Sequence, residues 1–305
     1  MPPHKIKLIV NPNADLGRAW HGAGDLRPIV EEFGGADWAG TVYPTHAVEL
    51  ARQAAEDGYE LVIAAGGDGT AHEVINGLMQ VPKERRPRLG VIPLGSGNDF
   101  SHAVGVSPRP EVAVRQIFTG KPKPVDLALS VDDLGRREYW GNTLGIGFDT
   151  VVTLRSRKIT LLRGFMIYLV AVVQTILLNF NPMRMRITTE GESLEGELLM
   201  LVACNGSREG GGFLVAPQAV PVDGILDFVA IGRVSRPMMF RLLPEVMKGT
   251  HARFKPVKMG QFKKMEIESQ DPLYIHMDGE IFAGFGMNVR RLSMELIPGE
   301  LEVVC

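Results

Sequence analysis

Alternating strand and helix patterns at the start of this chain constrain its fold more than any other feature. Strand patterns at KIKLIVN, DWAGTVYPT, YELVIAAGG and PRLGVIPLG are each followed by a helical pattern. Strands that alternate with helices predict a parallel sheet covered by helices on both faces. We therefore predict a three-layer α/β domain over residues 1–124.

After residue 124 the sequence changes to short strands separated by turn signals such as Asp133-Leu134-Gly135. Strand patterns occur at VDLALSVDD, MRMRITTEG, GELLMLVACN, GILDFVAIG, KKMEIESQ, LYIHMDGE and NVRRLSMELI. We predict a mostly antiparallel β-sandwich domain over residues 125–305, interrupted by a helix at about 237–248. The last residues, from about 291, are expected to pack back on the first domain.

Charge and cysteine content exclude several classes of protein. A net charge of −2 provides no overall positive field, so we expect no nucleic-acid partner. Cys204 and Cys305 offer neither a disulfide framework nor a zinc-ligand spacing. The apolar run near the N-terminus is too short for a signal-peptide core. These features predict a cytoplasmic protein.

Residues 164–180, GFMIYLVAVVQTILLNF, form an uncharged apolar segment that follows Arg155, Arg157, Lys158 and Arg163. Three interpretations are open. The segment is a helix buried against the sandwich, a helix that makes transient contact with a membrane surface through its apolar face and basic neighbours, or a transmembrane helix. Its 17 residues are at the lower limit for crossing a bilayer.

The segment GGDGT, residues 66–70, lies between a predicted strand and a predicted helix. It lacks the Gly-Lys-Ser/Thr of a Walker A loop, and His72 occupies the place of the last glycine in a dinucleotide fingerprint. Backbone N–H groups at a helix N-terminus favour anions, but Asp68 would repel a phosphate. A Mg²⁺–nucleotide removes that conflict. The alternative is that Asp68 only caps a helix.

Two further polar loops follow predicted strands, PLGSGNDF at residues 93–100 and NPNADLG at residues 11–17. The carboxyl ends of parallel strands lie at one edge of a sheet, where ligands of α/β proteins usually bind. All three loops are therefore expected at one edge. This convergence favours a phosphate-rich ligand over turn chemistry alone.

The pair GGDGT and PLGSGNDF resembles the diacylglycerol kinase catalytic-domain family, which includes sphingosine and ceramide kinases and bacterial soluble lipid kinases. The resemblance continues through GIGFD (145–149), GGGFLVAPQAVPVDGILD (210–227) and HMDGE (276–280), and it covers nearly the whole chain in order. It implies an ATP- and Mg²⁺-dependent lipid kinase with a nucleotide-binding α/β domain, a β-sandwich domain and an active site between them. It also implies peripheral membrane contact and subunits that pair as a homodimer.

By this resemblance, ATP would contact residues in all three loops and at the end of the second strand: Asn11, Thr45, Gly66, Gly67, Asp68, Gly69, Thr70, Gly95, Ser96, Gly97 and Asn98. Asp68 would also meet the Mg²⁺ of the nucleotide or its water ligands. The family motif Asn-Pro-x-x-Gly is longer here, because Gly17 follows Pro12 by five residues. The role of residues 13–18 is therefore left open.

The resemblance assigns Asp278 as the general base that takes the proton of the lipid hydroxyl. Glu280 and Asp99 would support it through orientation and the local field. A carboxylate suffices because positioning and charge stabilisation dominate phosphoryl transfer. The alternative is that Asp278-Gly279 is only a hairpin turn.

Within VPVDGILD, the resemblance implies a structural Mg²⁺ held by Asp223 and by the carbonyls of Val220 and Ile225. Oxygen ligands from one turn suit a hard cation. The alternative is a simple turn at Asp223-Gly224.

Diacylglycerol, which would give phosphatidic acid, is the acceptor that the resemblance favours, although other lipids with a hydroxyl stay open. Two other functions also remain. NAD kinase shares GGDGT and the two-domain layout, but this chain lacks the Asn-Glu pair of that family. A non-catalytic nucleotide- or lipid-binding regulator would keep the fold, but it would not need to keep Asp68, Asp99, Asp278 and Glu280.

Overall fold

The computed structural model describes residues 5–162 and 164–305, so Arg163 lies outside the described residues. The chain divides into two compact units. Unit 1 contains the residues up to Asp126 together with Gly299–Cys305, and unit 2 contains Leu127–Pro298. The sequence-based boundary, between residues 124 and 125, lies close to this division.

Unit 1 is built on a parallel sheet in the order β2-β1-β3-β4. The strands consist largely of buried aliphatic residues, as expected where helices cover both faces. Their bounds are β1 (Ile6–Val10), β2 (Asp37–Gly40), β3 (Leu61–Gly66) and β4 (Arg88–Pro93).

Helices cover the two faces of this sheet. Their bounds are α1 (Ala14–Gly17), α2 (Ala19–Glu32), α3 (His46–Glu56), α4 (Asp68–Leu78), α5 (Asp99–Ala103) and α6 (Pro110–Thr119). Residues of α2 and α6, among them Leu26 and Ile117, share a core with β1, β3 and β4. Helices α3 and α4 pack against each other on the other face. The three-layer α/β prediction is confirmed.

The end of the chain belongs to unit 1. Its last strand, β15 (Arg291–Val304), reaches β4, where Val303 pairs with Leu89 in parallel. Glu300 forms ion pairs with Lys83 at 3.1 Å and with Arg86 at 3.0 Å. These contacts attach the C-terminal segment to the first unit.

Unit 2 is a mostly antiparallel β structure, as predicted. Its strands are β5 (Pro122–Asp132), which begins in unit 1, β6 (Arg137–Trp140), β7 (Thr143–Gly147), β8 (Met183–Thr189), β9 (Ser193–Cys204), β10 (Leu226–Gly232), β11 (Val257–Phe262), β12 (Lys264–Ser269), β13 (Ile275–Met277), β14 (Glu280–Ala283) and most of β15. The main order is β14-β13-β7-β9-β8-β12-β15, with β5 between β15 and β6 and with β10 between β9 and β11. Alternating residues such as Met183, Met185 and Ile187 face one large core, which is the period expected for a strand with one solvated face.

Three helices pack over a second core of unit 2: α7 (Phe148–Ser156), α8 (Phe165–Leu178) and α9 (Arg236–Met247). Helix α9 matches the predicted helix, but α7 lies where the sequence indicated strands. Its sequence FDTVVTLRS is rich in β-branched residues, which have a weak helix propensity. Packing against α8 outweighs that propensity.

Helix α8 corresponds to the apolar segment, and it contains 14 residues. A bilayer-spanning helix needs about 20. In the part of the chain that the structure describes, no helix is both long and apolar enough to cross a membrane.

Candidate functional site

The two glycine-rich loops of unit 1 are in direct backbone contact. The Leu94 N–H donates to the Gly66 carbonyl at 2.8 Å. A Cβ on Gly95 would lie 2.3 Å from the Cα of Gly67, which no real side chain tolerates. Only glycine fits at this contact, so the glycines hold the loops together whether or not a ligand is bound.

Asp68 joins the same two loops through its side chain. It begins α4, but its Oδ1 accepts a hydrogen bond at 3.0 Å from the Phe100 N–H, in the first turn of α5. Asp68 therefore caps a helix, as the alternative interpretation expected. The capped helix is α5, which follows the second glycine loop, and not α4, which Asp68 itself begins. Its carboxylate lies where α4 and α5 begin. The N–H groups at the helix N-termini favour a phosphate and the carboxylate favours a cation, so the two together suit a cation–phosphate pair.

Asn98 shapes the second loop from within. Its backbone is left-handed, with φ at 57°. Its side chain accepts from the Gly95 N–H at 2.9 Å and donates to the Gly95 carbonyl at 2.7 Å. Gly97 precedes it in the loop, Ser96 is half-buried and Asp99 begins α5 as a buried residue. Through these two hydrogen bonds, Asn98 stabilises the conformation of the second loop.

The loop after β1 reaches both glycine loops. Asn11 Nδ2 donates to Thr70 Oγ1 at 3.2 Å, and Gly69 lies beside Thr70 in α4. Asp15 and Leu16 have left-handed backbones, and Ser96 Oγ donates to Asp15 Oδ1 at 3.4 Å. Residues 13–18, whose role the sequence left open, therefore bring an additional carboxylate to Ser96.

Thr45 is fixed through its backbone. Its N–H donates to Glu73 Oε1 at 3.0 Å, and the Ala47 N–H donates to Glu73 Oε2 at 3.2 Å. The Glu73 carboxylate therefore caps the N-terminus of α3. No local sequence pattern indicates this function, because Glu73 lies 28 residues from Thr45.

In unit 2, Asp278 and Gly279 are the central residues of the hairpin between β13 and β14. Their φ values, 49° and 83°, are those of a tight hairpin turn. The buried Asp278 carboxylate accepts backbone hydrogen bonds from Gly141 at 2.9 Å, Asn142 at 2.8 Å and Thr143 at 3.1 Å. The turn chemistry is present, and in addition the carboxylate is fixed by three donors.

Glu280 forms an ion pair with Arg157. Arg157 Nη2 lies 2.6 Å from Glu280 Oε2, and the same nitrogen donates to the Gly279 carbonyl at 2.7 Å. Both charged side chains are well exposed to solvent. Arg157, on the segment after α7, therefore holds the hairpin from its outer side.

A buried histidine connects two other carboxylates. His276 Nε2 lies 2.9 Å from Asp149 Oδ2 and 3.2 Å from Glu209 Oε1. Burial opposes protonation of the ring, but the Glu209 charge and the hydrogen bond to Asp149 raise the pKa of His276 to about 10. Thr143 Oγ1 donates to Glu209 at 3.3 Å. Since the Thr143 N–H binds Asp278, this cluster is continuous with the Asp278 site.

The turn at Val220–Ile225 has features that suit a hard cation. Asp223 Oδ1 accepts from the Ile225 N–H at 3.1 Å, and the Val222 N–H donates to the Val220 carbonyl at 2.8 Å. Burial and the nearby Asp223 charge raise the pKa of Asp227. Asp227 Oδ2 is buried and has no hydrogen-bond partner among the described residues. The oxygen atoms of this turn, together with the unsatisfied carboxylate oxygen of Asp227 in the adjoining strand β10, suit a hard cation such as Mg²⁺.

Two models of known protein families match this chain. The family model "Diacylglycerol kinase catalytic domain" matches residues 5–130, and the model "YegS C-terminal NAD kinase beta sandwich-like domain" matches residues 142–305. This chain belongs to the diacylglycerol kinase catalytic-domain family. The family expected from the motifs is confirmed, and the protein is a lipid kinase.

Individual relatives of this lipid kinase agree with that assignment. The protein named "Probable lipid kinase YegS-like" from Xanthomonas oryzae pv. oryzae is 32% identical over 288 residues, which cover 92% of this chain and 91% of the relative. A protein from Bacillus subtilis named diacylglycerol kinase is 27% identical, with coverage of 90% and 91%. A crystal structure of a diacylglycerol kinase from Bacillus anthracis str. Sterne has a TM-score of 0.77 at 24% identity, covering 100% of this chain and 98% of that chain, which supports the fold.

Proposed function

We propose that this lipid kinase transfers the terminal phosphoryl group of ATP, with Mg²⁺, to the hydroxyl of diacylglycerol. The products are ADP and phosphatidic acid. The observation that carries the proposal is the junction of three loops at the carboxyl end of the unit 1 sheet, where Asp68, Gly67, Gly95 and Asn11 are tied together. The Bacillus subtilis relative named diacylglycerol kinase supports the choice of acceptor.

The junction suits a triphosphate. The Gly67–Gly95 contact leaves no side chain over the backbone there, so phosphate oxygens can approach the N–H groups at the start of α4. The Thr70 hydroxyl adds a donor, and the Ser96 hydroxyl would donate to a phosphate in place of Asp15. Asp68 and Asp15 bring negative charge, which is favourable only if a cation accompanies the phosphates. We therefore assign ATP as the nucleotide and Mg²⁺ as its counterion.

Mg²⁺ has two places in this proposal. With the nucleotide, Asp68 would meet the ion or its water ligands, and the ion would neutralise charge on the phosphates. In unit 2, Asp223 and the carbonyls of Val220 and Ile225 would hold a second ion for structural purposes. Asp227 Oδ2, which is buried without a partner among the described residues, would be satisfied by such an ion or by its water.

Asp278 is the proposed base. Its three backbone donors hold the carboxylate in one orientation. As the lipid oxygen bonds to phosphorus, the hydroxyl proton passes to Asp278. Phosphoryl transfer demands positioning rather than a strong base. Glu280 orients the hairpin through Arg157, and Asp99 contributes to the field at the start of α5.

Access to a membrane lipid requires contact with the membrane surface, and α8 offers an apolar face for this. Ala171 and Ile176 point into the second core of unit 2, whereas Met166 and Leu177 are exposed. Leu161, which precedes α8, and Leu178, its last residue, are 95% and 67% exposed. We propose that this face touches the acyl region, with exposed Lys158 near anionic headgroups.

The proposal is tested by phosphate transfer from terminally labelled ATP in mixed micelles containing diacylglycerol, monoacylglycerol, ceramide, sphingosine or phosphatidylglycerol. NAD is the soluble control. Label in phosphatidic acid that requires Mg²⁺ supports the proposal. Label on another lipid moves the acceptor assignment to that lipid. Label on NAD alone contradicts the proposal.

A further inference from the structure

We propose that Asp149, Glu209 and His276 form a binding site for one divalent transition-metal ion, such as Mn²⁺ or Zn²⁺, within unit 2. None of the three belongs to the nucleotide loops or to the turn at Val220–Ile225. The site does not depend on the proposed kinase reaction, so it can be tested separately.

The spacing of the ligand atoms fits metal coordination. One atom from each residue lies within 4.8 Å of the other two. His276 Nε2 is 2.9 Å from Asp149 Oδ2 and 3.2 Å from Glu209 Oε1. For ligands at about 2.1 Å from an ion, neighbouring ligand atoms are separated by about 3.0 Å in an octahedron and about 3.4 Å in a tetrahedron. A small cation would therefore bind with little rearrangement of the ligand atoms, and it would displace the proton on His276 Nε2, which leaves to solvent.

His276 is positioned by packing for this function. Its side chain is completely buried, and its polar contacts among the described residues are the two carboxylates alone. Opposite the ring lies Gly145, which pairs with His276 across β7 and β13. A Cβ on Gly145 would lie 2.1 Å from Asp149 Oδ2 and 2.2 Å from His276 Nε2. The ligand atoms thus converge over a backbone that has no side chain.

The two carboxylates leave one side of the cluster open. The Asp149 and Glu209 side chains are 15% and 16% exposed, so an ion can enter and keep water ligands. One imidazole and two carboxylates form a mixed nitrogen and oxygen set, which suits Mn²⁺ or Zn²⁺ better than Mg²⁺. On the far side, His276 Nδ1 is buried with no hydrogen-bond partner among the described residues. Ligand histidines usually have such a partner, so the affinity is expected to be moderate.

The experiment is electron spin-echo envelope modulation on the nucleotide-free full-length protein with one equivalent of Mn²⁺. The ATP-linked site and the Asp223 turn offer only oxygen ligands, so a ¹⁴N coupling identifies a histidine on the ion. We expect this coupling in the wild type and in Asp223→Asn. It should be absent in His276→Gln that circular dichroism shows to be folded.

A second variant keeps the test decisive if His276→Gln does not fold. Glu209 is partly exposed, so Glu209→Gln should fold, and we expect its Mn²⁺ dissociation constant to rise by at least about tenfold. Absence of ¹⁴N coupling in the folded wild type overturns the proposal. So does coupling that persists in folded His276→Gln, or unchanged affinity in Glu209→Gln. The cluster would then be an imidazolium held between two carboxylates.

Discussion

Asp68 Oδ1 accepts a hydrogen bond from the Phe100 N–H at 3.0 Å, so the carboxylate of the first glycine loop caps the helix that follows the second. The two residues are 32 positions apart. The contact explains why a glycine loop contains an acidic residue even before any ligand is considered. It also means that Asp68 has two separable functions, a structural one and a proposed electrostatic one.

Substitutions at Asp68 can separate these functions. Asp68→Asn keeps an oxygen for the Phe100 N–H but loses the charge, so we expect near-normal stability and weaker Mg²⁺–ATP binding. Asp68→Ala loses both and should also lower the free energy of unfolding by about 0.5–2 kcal/mol. Titration calorimetry with Mg²⁺–ATP and urea unfolding measure the two effects. Asp57→Asn, at an exposed position, is the control. Wild-type Mg²⁺–ATP affinity in Asp68→Asn would leave Asp68 as a cap only.

The Gly67–Gly95 contact predicts a severe effect of one methyl group. Gly95→Ala places its Cβ 2.3 Å from the Gly67 Cα, so the loops must separate at a cost of about 1–3 kcal/mol. ATP binding should weaken with them. Gly24→Ala in α2 is the control, because its Cβ meets no atom within 4 Å. Equal ATP affinity in both variants would show that the loop contact is not needed for the nucleotide.

His251 predicts acid sensitivity of unit 2. The ring is buried, Nε2 donates to the Val215 carbonyl at 2.9 Å, and burial lowers the pKa of His251 below its ordinary value of 6.5. The unfolded chain therefore binds a proton more readily than the folded one. The contribution of the neutral ring is complete above pH 6.5 and is lost as the pH falls towards the lowered pKa. Urea unfolding between pH 7.5 and 5 should show a loss of stability that is smaller in His251→Gln; parallel profiles would contradict this.

The apolar face of α8 predicts membrane binding. Met166→Glu and Leu177→Glu should each reduce co-sedimentation with vesicles that contain phosphatidylglycerol, because they place a charge on the proposed contact face. Leu134→Glu, an exposed apolar position in the β5–β6 turn, is the matched control. If all three variants bind vesicles equally, α8 is not the contact surface.

The sequence predicted the layers of the fold well because strand and helix periods differ and are local. It failed at α7, where β-branched residues form a helix because of packing partners that the local pattern does not contain. Strand β11 was not predicted either, because its sequence VKMGQF contains a glycine and alternates only partly between buried and exposed residues.

The candidate site also combines features that local sequence patterns predict with features that depend on distant contacts. Glycine loops are visible in the sequence because close backbone contact requires one residue type. The partners that orient them are not visible, since Asp15 lies 81 residues from Ser96 and Glu209 lies 66 residues from Thr143. Single carboxylates at such distances have no spacing signature. Three-dimensional contacts alone reveal them.

The proposed reaction depends most on Asp278, and the three backbone donors of this residue affect how a substitution there can be interpreted. In Asp278→Asn, an amide N–H₂ must face a backbone N–H, so stability should fall by about 1–3 kcal/mol. A matched control is Asp132→Asn. Asp132 is also buried: its Oδ1 accepts from the Leu134 and Arg136 N–H groups at 3.0 and 2.8 Å, and its Oδ2 pairs with the Arg136 guanidinium at 2.7 Å.

The most direct measurement is therefore kcat for diacylglycerol phosphorylation by the wild type, Asp278→Asn and Asp132→Asn, at a temperature where urea unfolding shows all three to be folded. We expect Asp278→Asn to lose at least about 100-fold in kcat, whereas Asp132→Asn should stay within a few-fold of the wild type despite a similar loss of stability. Equal kcat values for the two variants would show that Asp278 is not the base and would leave it as an anchor of residues 141–143.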